Sequence, residues 1–469
     1  MSELVGRTYE IDLLRSALKN NKSELIAVYG RRRIGKTFLI REVYKKDIIF
    51  EVSGLHNGTM SDQLQNFTNA IVKNWGRKRV VTPASWLDAF ALLEAYLNSI
   101  KTKKKKVIFI DEFPWMATAK SKFLMMFENF WNSYCTKRND LIVVICGSAA
   151  SYMIQKVIKN KGGLHNRISQ KVRLLPFTLS ETELFLKSKG IKYTHYDICQ
   201  IYMVMGGVPH YLEKLRKGLS VAQNVDRLCF EKDGLLRTEF DELYQSLFDN
   251  SDKHMAIIKA LSTSNKGITR QQLIEKSNIF SGGDFSSKME ELIESGFVSD
   301  YTYYGNKKQL SLYRLSDEYS RFYLQFIFSN KDNGAGTWIR LHKSNRFVAW
   351  SGFCFETLCL KHVGKIKQAL RIEAIYSTSS SWFNDTAQID LLIDRDDNII
   401  NLCEMKFYNG LFSIDKSHYL NIKNKVQQVQ KLVGNKKNIF VTMITTFGIK
   451  ENGYSNELVQ NSLLLEDLF

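Results

Sequence analysis

One octapeptide constrains the fold of this 469-residue chain more than any other feature. Leu25-Ile26-Ala27-Val28-Tyr29 is an apolar run of strand length, and Gly30-Arg31-Arg32-Arg33-Ile34-Gly35-Lys36-Thr37 follows it directly. Phe38 to Tyr44 then reads as a helix. A strand, a loop bracketed by glycines and ending in Lys-Thr, and a helix together make a cradle for nucleotide phosphates. Gly30 and Gly35 let the backbone curl until its N–H groups face phosphate oxygens, and the helix N-terminus adds partial positive charge. Lys36 is spaced to reach the β- and γ-phosphates, and Thr37 to offer its hydroxyl to Mg²⁺. ATP and Mg²⁺ are the expected ligands.

The metal needs a carboxylate on a second strand, and Val107-Ile108-Phe109-Ile110-Asp111-Glu112 provides one. Its four apolar residues suit a strand buried in a parallel sheet. Asp111 at the strand end is the expected Mg²⁺ partner, and Glu112 the group that activates the attacking water. An Asp-Glu helix start is the plainer alternative. Leu141 to Gly147 reads as a third buried strand, with Ser148 at its end as a candidate sensor of the γ-phosphate. Arg167 is a candidate finger that neutralises charge developing on the transferred phosphoryl group.

Length implies three or four folded units. No apolar run approaches the 18 or so residues of a membrane helix, and Met1-Ser2-Glu3-Leu4 opens no charged leader. The 7 cysteines are scattered, without metal-ligand spacing, which suits reduced thiols. The expectation is a cytoplasmic protein without a membrane partner. The chain carries 66 Lys and Arg against 48 Asp and Glu, a net charge of +18. Residues 1–180 account for nearly all of it, with 30 basic and 14 acidic side chains. A field of that sign attracts polyphosphates or nucleic acid. Its densest part, Lys101 to Lys106, also suits a solvated loop before a buried strand.

Downstream, 1–180 is expected to be the nucleotide core and 181–249 a helical lid. Residues 250–318 read as three helices and a hairpin, the order of a winged helix. The helices are expected at Met255 to Leu261, Ile268 to Lys276 and Phe285 to Glu294, with Thr269 capping the second. The hairpin turns at Gly305-Asn306-Lys307-Lys308. Its 9 basic and 9 acidic residues cancel, which argues against a DNA-reading face and for a mechanical joint. In 319–469, Phe353 to His362 reads as a helix carrying Glu356. Gln388 to Asp394 and Ile399 to Lys406 read as a hairpin. Asp390 lies on its first strand. Glu404 and Lys406 share a face of the second. Asp390 and Glu404 can then share a divalent metal while Lys406 places a water, which is phosphodiester chemistry. A simple hairpin ion pair also fits.

Leu4-Val5-Gly6-Arg7, the glycine loop and Phe109-Ile110-Asp111-Glu112-Phe113-Pro114 together resemble the archaeal-type P-loop ATPase family, near the AAA+ and signal-transducing NTPases. The resemblance covers about residues 1–245. It implies that Gly6 and Arg7 lie by the adenine, and that Pro209, in Gly206-Gly207-Val208-Pro209, belongs to the lid near the base. The loop residues Gly30, Arg31, Arg32, Arg33, Ile34, Gly35, Lys36 and Thr37 bind the nucleotide on the same reading. The last segment resembles the PD-(D/E)xK nuclease superfamily through Glu356, Asp390, Glu404 and Lys406, with Ser381-Trp382-Phe383 before the aspartate. The whole is then a multidomain α/β chain: a parallel-sheet P-loop core, a helical lid, a winged helix and a nuclease-like α/β domain. Its leading function is an ATPase whose nucleotide state controls Mg²⁺-dependent cleavage of nucleic acid, probably of DNA. The alternative is a non-cleaving nucleotide-dependent switch that holds a protein or nucleic-acid partner. A third reading, a DNA-remodelling motor, implies a homo-oligomeric ring.

Overall fold

The computed structural model describes residues 4–76, 80–102, 104–148, 152–159, 164, 166–248, 251–264, 266–305, 311–329 and 334–469. The hairpin turn after Gly305 and Lys103 of the lysine run lie outside them. The chain divides into two compact units: Met1–Leu175 with Leu243–Ser251, and Pro176–Glu242 with Asp252–Phe469.

The first unit alternates helix and strand: α1 (Thr8–Ala17), β1 (Glu24–Tyr29), α2 (Lys36–Val43), β2 (Ile48–Ser53), α3 (Met60–Trp75), α4 (Trp86–Ser99), β3 (Lys106–Asp111), α5 (Phe123–Ser133), β4 (Leu141–Gly147) and β5 (Gln170–Arg173). The strands form one parallel sheet in the order β2-β3-β4-β1-β5. Every residue of β1, β3 and β4 is buried. That explains their unbroken apolar runs: helices cover both faces, so neither face needs polar side chains. One face packs Phe50, Phe67, Trp86, Phe90, Phe123 and Phe127 beneath α3, α4 and α5. The other packs Ile26, Val28, Val144 and Phe109 against Leu14, Leu39 and Ile40. β4 lies between β1 and β3, so the strand ending at Gly147 separates the glycine loop from Asp111.

The second unit opens with α6 (Leu179–Ser188), α7 (His195–Met205) and α8 (Val221–Cys229). Each starts at a reciprocal cap: Thr178 with Glu181, Thr194 with Asp197, Ser220 with Gln223. Then come α9 (Asp252–Ser262), β6 (Ile268–Thr269), α10 (Arg270–Ser277), α11 (Gly283–Glu294), β7 (Val298–Tyr303) and β8 (Ser311–Leu315). Ile268 and Thr269 were expected inside a helix. They are extended instead and pair with Tyr313 and Leu312. Thr269 still caps the helix, accepting from the Gln272 amide, and a cap residue must itself be extended. Glu291 of α11 is buried against His254, at 2.8 Å, so one of the acidic side chains counted on that helix belongs to the interior.

The rest is α12 (Asn345–Lys361), β9 (Ser377–Phe383), β10 (Gln388–Arg395), β11 (Ile399–Lys406), α13 (Lys416–Val433), β12 (Asn438–Thr445) and β13 (Val459–Leu464). One eight-stranded mixed sheet runs β13-β12-β11-β10-β9-β7-β8-β6. The join is the parallel pairing of Thr302 with Ser380 and Tyr303 with Ser381. The β7–β8 hairpin is therefore continuous with the C-terminal strands. All seven cysteines are buried free thiols. Among the described residues no helix is long and apolar enough to cross a membrane.

Candidate nucleotide site and C-terminal carboxylate site

The glycine loop leaves β1 through backbone that side chains resist. Gly30 has φ 141°, and a Cβ there would stand 2.3 Å from the Leu174 carbonyl oxygen. Arg33 and Gly35 also take positive φ, 68° and 86°, and Gly35 starts α2. The rim is less uniform than its sequence. Arg31 is 1 % exposed and Ile34 is buried, while Arg32 lies 6.0 Å from the Trp115 ring. Lys36 is buried, and its Nζ donates to the carbonyls of Gly30 (2.9 Å) and Arg31 (2.7 Å). Burial lowers its pKa, opposed in part by the neighbouring Glu112 and Asp111 charges.

At the end of β3, Asp111 Oδ2 accepts from Thr37 Oγ1 at 2.9 Å. Burial raises the Asp111 pKa; the Thr37 hydroxyl pulls it down and the Glu112 charge pushes it further up. Two hard oxygens side by side, one on a carboxylate that burial disfavours as an anion, fit Mg²⁺. Glu112 stands in the left-handed region, φ 43° and ψ 46°, and starts the short helix Phe113–Met116. The plainer helix-start reading of Asp-Glu is thus also realised. Ser148 donates to this carboxylate twice, from its amide (3.1 Å) and its hydroxyl (2.9 Å). Ser148, expected at the γ-phosphate, is here the holder of Glu112.

Arg167 is exposed on the segment before β5, and its amide donates to the Leu164 carbonyl. Among the described contacts it does not join the Lys36–Asp111–Glu112 group. Gly6 has φ 67°, and Arg7 starts α1 with φ 60° and its guanidinium 3.7 Å from Glu10. Pro209 is in the second unit, at the start of the turn Pro209–Leu212. It follows Gly207, where a Cβ would meet the Phe177 backbone at 1.9 Å.

In the second unit, Glu356 on α12, Asp390 on β10, and Glu404 and Lys406 on β11 share one electrostatic cluster. The register pairs Leu391 with Cys403, which sets Asp390 opposite Glu404 one step on. Lys406 Nζ lies 2.8 Å from Glu404 Oε1, so the hairpin ion pair is present, and it is buried. Three further residues close the cluster. Lys425 of α13 donates to Glu404 Oε2 at 2.7 Å. Arg314 of β8 and Gln388 donate to Asp390 Oδ1, at 2.6 and 3.0 Å. Sequence reasoning missed all three. Gln388 was within reach of it, two residues before Asp390 on the same strand. Burial pushes Glu404 up, but Lys425 and Lys406 outweigh it and hold the carboxyl below its ordinary range. Glu356 goes the other way. Burial, then the Asp390 charge, raise it to about 8, and its Oε2 is buried without a hydrogen-bond partner.

That orphaned oxygen suits a cation, but the rest of the set does not. Asp390 and Glu404 already have basic partners. Among the described residues, no three His, Cys, Asp or Glu side chains converge as a metal site. In this arrangement the C-terminal residues do not fit a divalent ion.

Comparison with known proteins follows this division. Residues 4–215 match the model of an ATPase domain found predominantly in Archaea. This segment is a P-loop ATPase domain. The whole chain is similar to an uncharacterized protein of Methanocaldococcus jannaschii, 25% identical over 398 residues, covering 84% of this chain and 85% of the relative. An uncharacterized ATP-binding protein of the same organism is 47% identical over 38 residues, 8% of this chain and 64% of its own. Among solved structures, a Walker-type ATPase of Pyrococcus abyssi superposes with TM-score 0.47 at 13% identity, covering 68% of this chain and 96% of its own. The ORC2 protein of Aeropyrum pernix, in ADPNP and ADP complexes, gives 0.44 at 15% identity, covering 73% and 96%.

Proposed function

We propose that this chain binds and hydrolyses ATP, and that its nucleotide state controls a C-terminal domain acting on nucleic acid. The observation that carries the first half is the Thr37–Asp111 hydrogen bond beside a Glu112 tethered by Ser148. Loop amides and Lys36 receive the phosphates once Lys36 releases the Gly30 and Arg31 carbonyls. Thr37 and Asp111 hold Mg²⁺, which when bound neutralises charge on the β- and γ-phosphate oxygens. Glu112 takes a proton from the attacking water. The water oxygen bonds to the γ-phosphorus, and ADP leaves with the bridging oxygen. Glu112 must first turn from Ser148 toward that water.

The second half rests on the meeting of Glu356, Asp390, Glu404 and Lys406 in one buried cluster. Glu356 carries a proton at neutral pH, and Lys406 a positive charge beside Glu404, groups suited to a phosphodiester. A specific observation favours the alternative, a switch that binds without cutting: Asp390 and Glu404 are already neutralised by Arg314 and Lys425.

Steady-state ATP hydrolysis tests the first half. Lys36→Ala is expected to lose nucleotide affinity and at least 100-fold in rate; wild-type turnover by this variant contradicts the site. Metal-dependent cutting of supercoiled DNA that Lys406→Ala abolishes supports the second half. Its absence with and without ATP leaves the switch.

A further inference from the structure

The misfit between the C-terminal carboxylates and a divalent ion has a local cause. Arg314 is 76 residues before Asp390, yet its Nη2 lies 2.6 Å from Asp390 Oδ1. Both side chains are largely enclosed, 4 % and 14 % exposed. A metal on Asp390 would either displace the guanidinium or stand beside it. Two cations against one enclosed carboxylate repel strongly. Arginine cannot leave by losing its proton, so it must move.

The fold provides somewhere to move. A cavity of about 150 Å³ adjoins Arg314, walled by Tyr301, Thr357, Ser379, Ser380 and Leu391. The hydroxyls of Ser379 and Ser380 are buried there without hydrogen-bond partners, as is Arg314 Nε. Each such atom costs about 1–3 kcal/mol unless satisfied. Hydroxyl oxygens accept from a guanidinium, so the cavity is a second seat for the arginine head.

We propose that Arg314 is a positioning residue of the C-terminal site, which excludes divalent cations when seated on Asp390 and admits them when seated in the serine-lined cavity. This rests on the nucleic-acid-acting reading of that site. It makes the hairpin part of the site, because any shift of β8 against β10 changes which seat the arginine takes. The two-residue pairing of β7 with β9 is the register such a shift would alter.

Mn²⁺ binding to the full, nucleotide-free chain, read by electron paramagnetic resonance, tests it without any cleavage assay. Arg314→Met is expected to bind Mn²⁺ at least tenfold tighter than wild type, and Asp390→Asn added to it to erase the gain. Ser380→Val fills the second seat and leaves the first, so it is expected to weaken binding at least threefold. Equal affinity of Arg314→Met and wild type overturns the proposal, as does the absence of Mn²⁺ binding in all variants. If Arg314→Met does not fold, unchanged affinity in Ser380→Val overturns it alone. DNA cutting that depends on Lys406, in a protein whose Arg314→Met form gains no Mn²⁺ affinity, removes this proposal and spares the reading beneath it.

Discussion

Glu112 is where backbone and chemistry meet most tightly. A non-glycine residue at φ 43° costs free energy, on the order of 1 kcal/mol or more, and persists only where its surroundings hold it. Here the holders are the Ser148 amide and hydroxyl. The same two bonds keep the carboxylate off a water, so the group is stored rather than spent. Glu112→Gln preserves an acceptor for Ser148 but removes the base. It is expected to lower kcat at least 100-fold while changing ATP affinity less than about threefold. Equilibrium nucleotide binding beside steady-state turnover checks this. Affinity and rate falling together would show that Glu112 holds the loop in shape instead.

At the scale of elements, His362 joins two helices of the second unit. Its Nδ1 faces the Leu358 carbonyl at the end of α12, at 2.8 Å, and its Nε2 faces the Leu179 amide at the start of α6, at 3.1 Å. An amide can only donate, so Nε2 must be unprotonated. Burial, with Lys361 and Lys365 nearby, lowers the pKa from 6.5 to about 4. The folded value lies below the unfolded one. The contribution is therefore complete above pH 6.5 and is lost as pH falls toward 4, by up to about 3 kcal/mol. Denaturant unfolding across that window is expected to show the decline, and His362→Gln to flatten it. A wild-type profile as flat as the variant's contradicts the role. Such joints are also where sequence reading ran out. The strands bearing Asp111, Asp390 and Glu404 were legible because unbroken or alternating apolar runs have few other uses. Periodicity places a residue on a face of its own element and says nothing of a partner 76 or 183 positions away. Arg314 on Asp390 and His362 on Leu179 are therefore absent from it. The pairing of β7 with β9, two residues long, leaves no pattern at all.

At the scale of the whole molecule, the two chemistries lie in separate compact units of one chain, and the account's central claim is that the first governs the second. The basic excess lies within residues 1–180, while the C-terminal cluster is balanced by its own lysines and arginine. Nucleic-acid affinity is thus expected to come from the basic segment and to fall with salt. The decisive measurement is the rate of supercoiled DNA cleavage in Mg²⁺ across a full ATP titration, for wild type and Lys36→Ala side by side. The account predicts a wild-type rate that changes severalfold with ATP, and a Lys36→Ala rate that stays flat. Identical rates for the two proteins at every ATP concentration would contradict it.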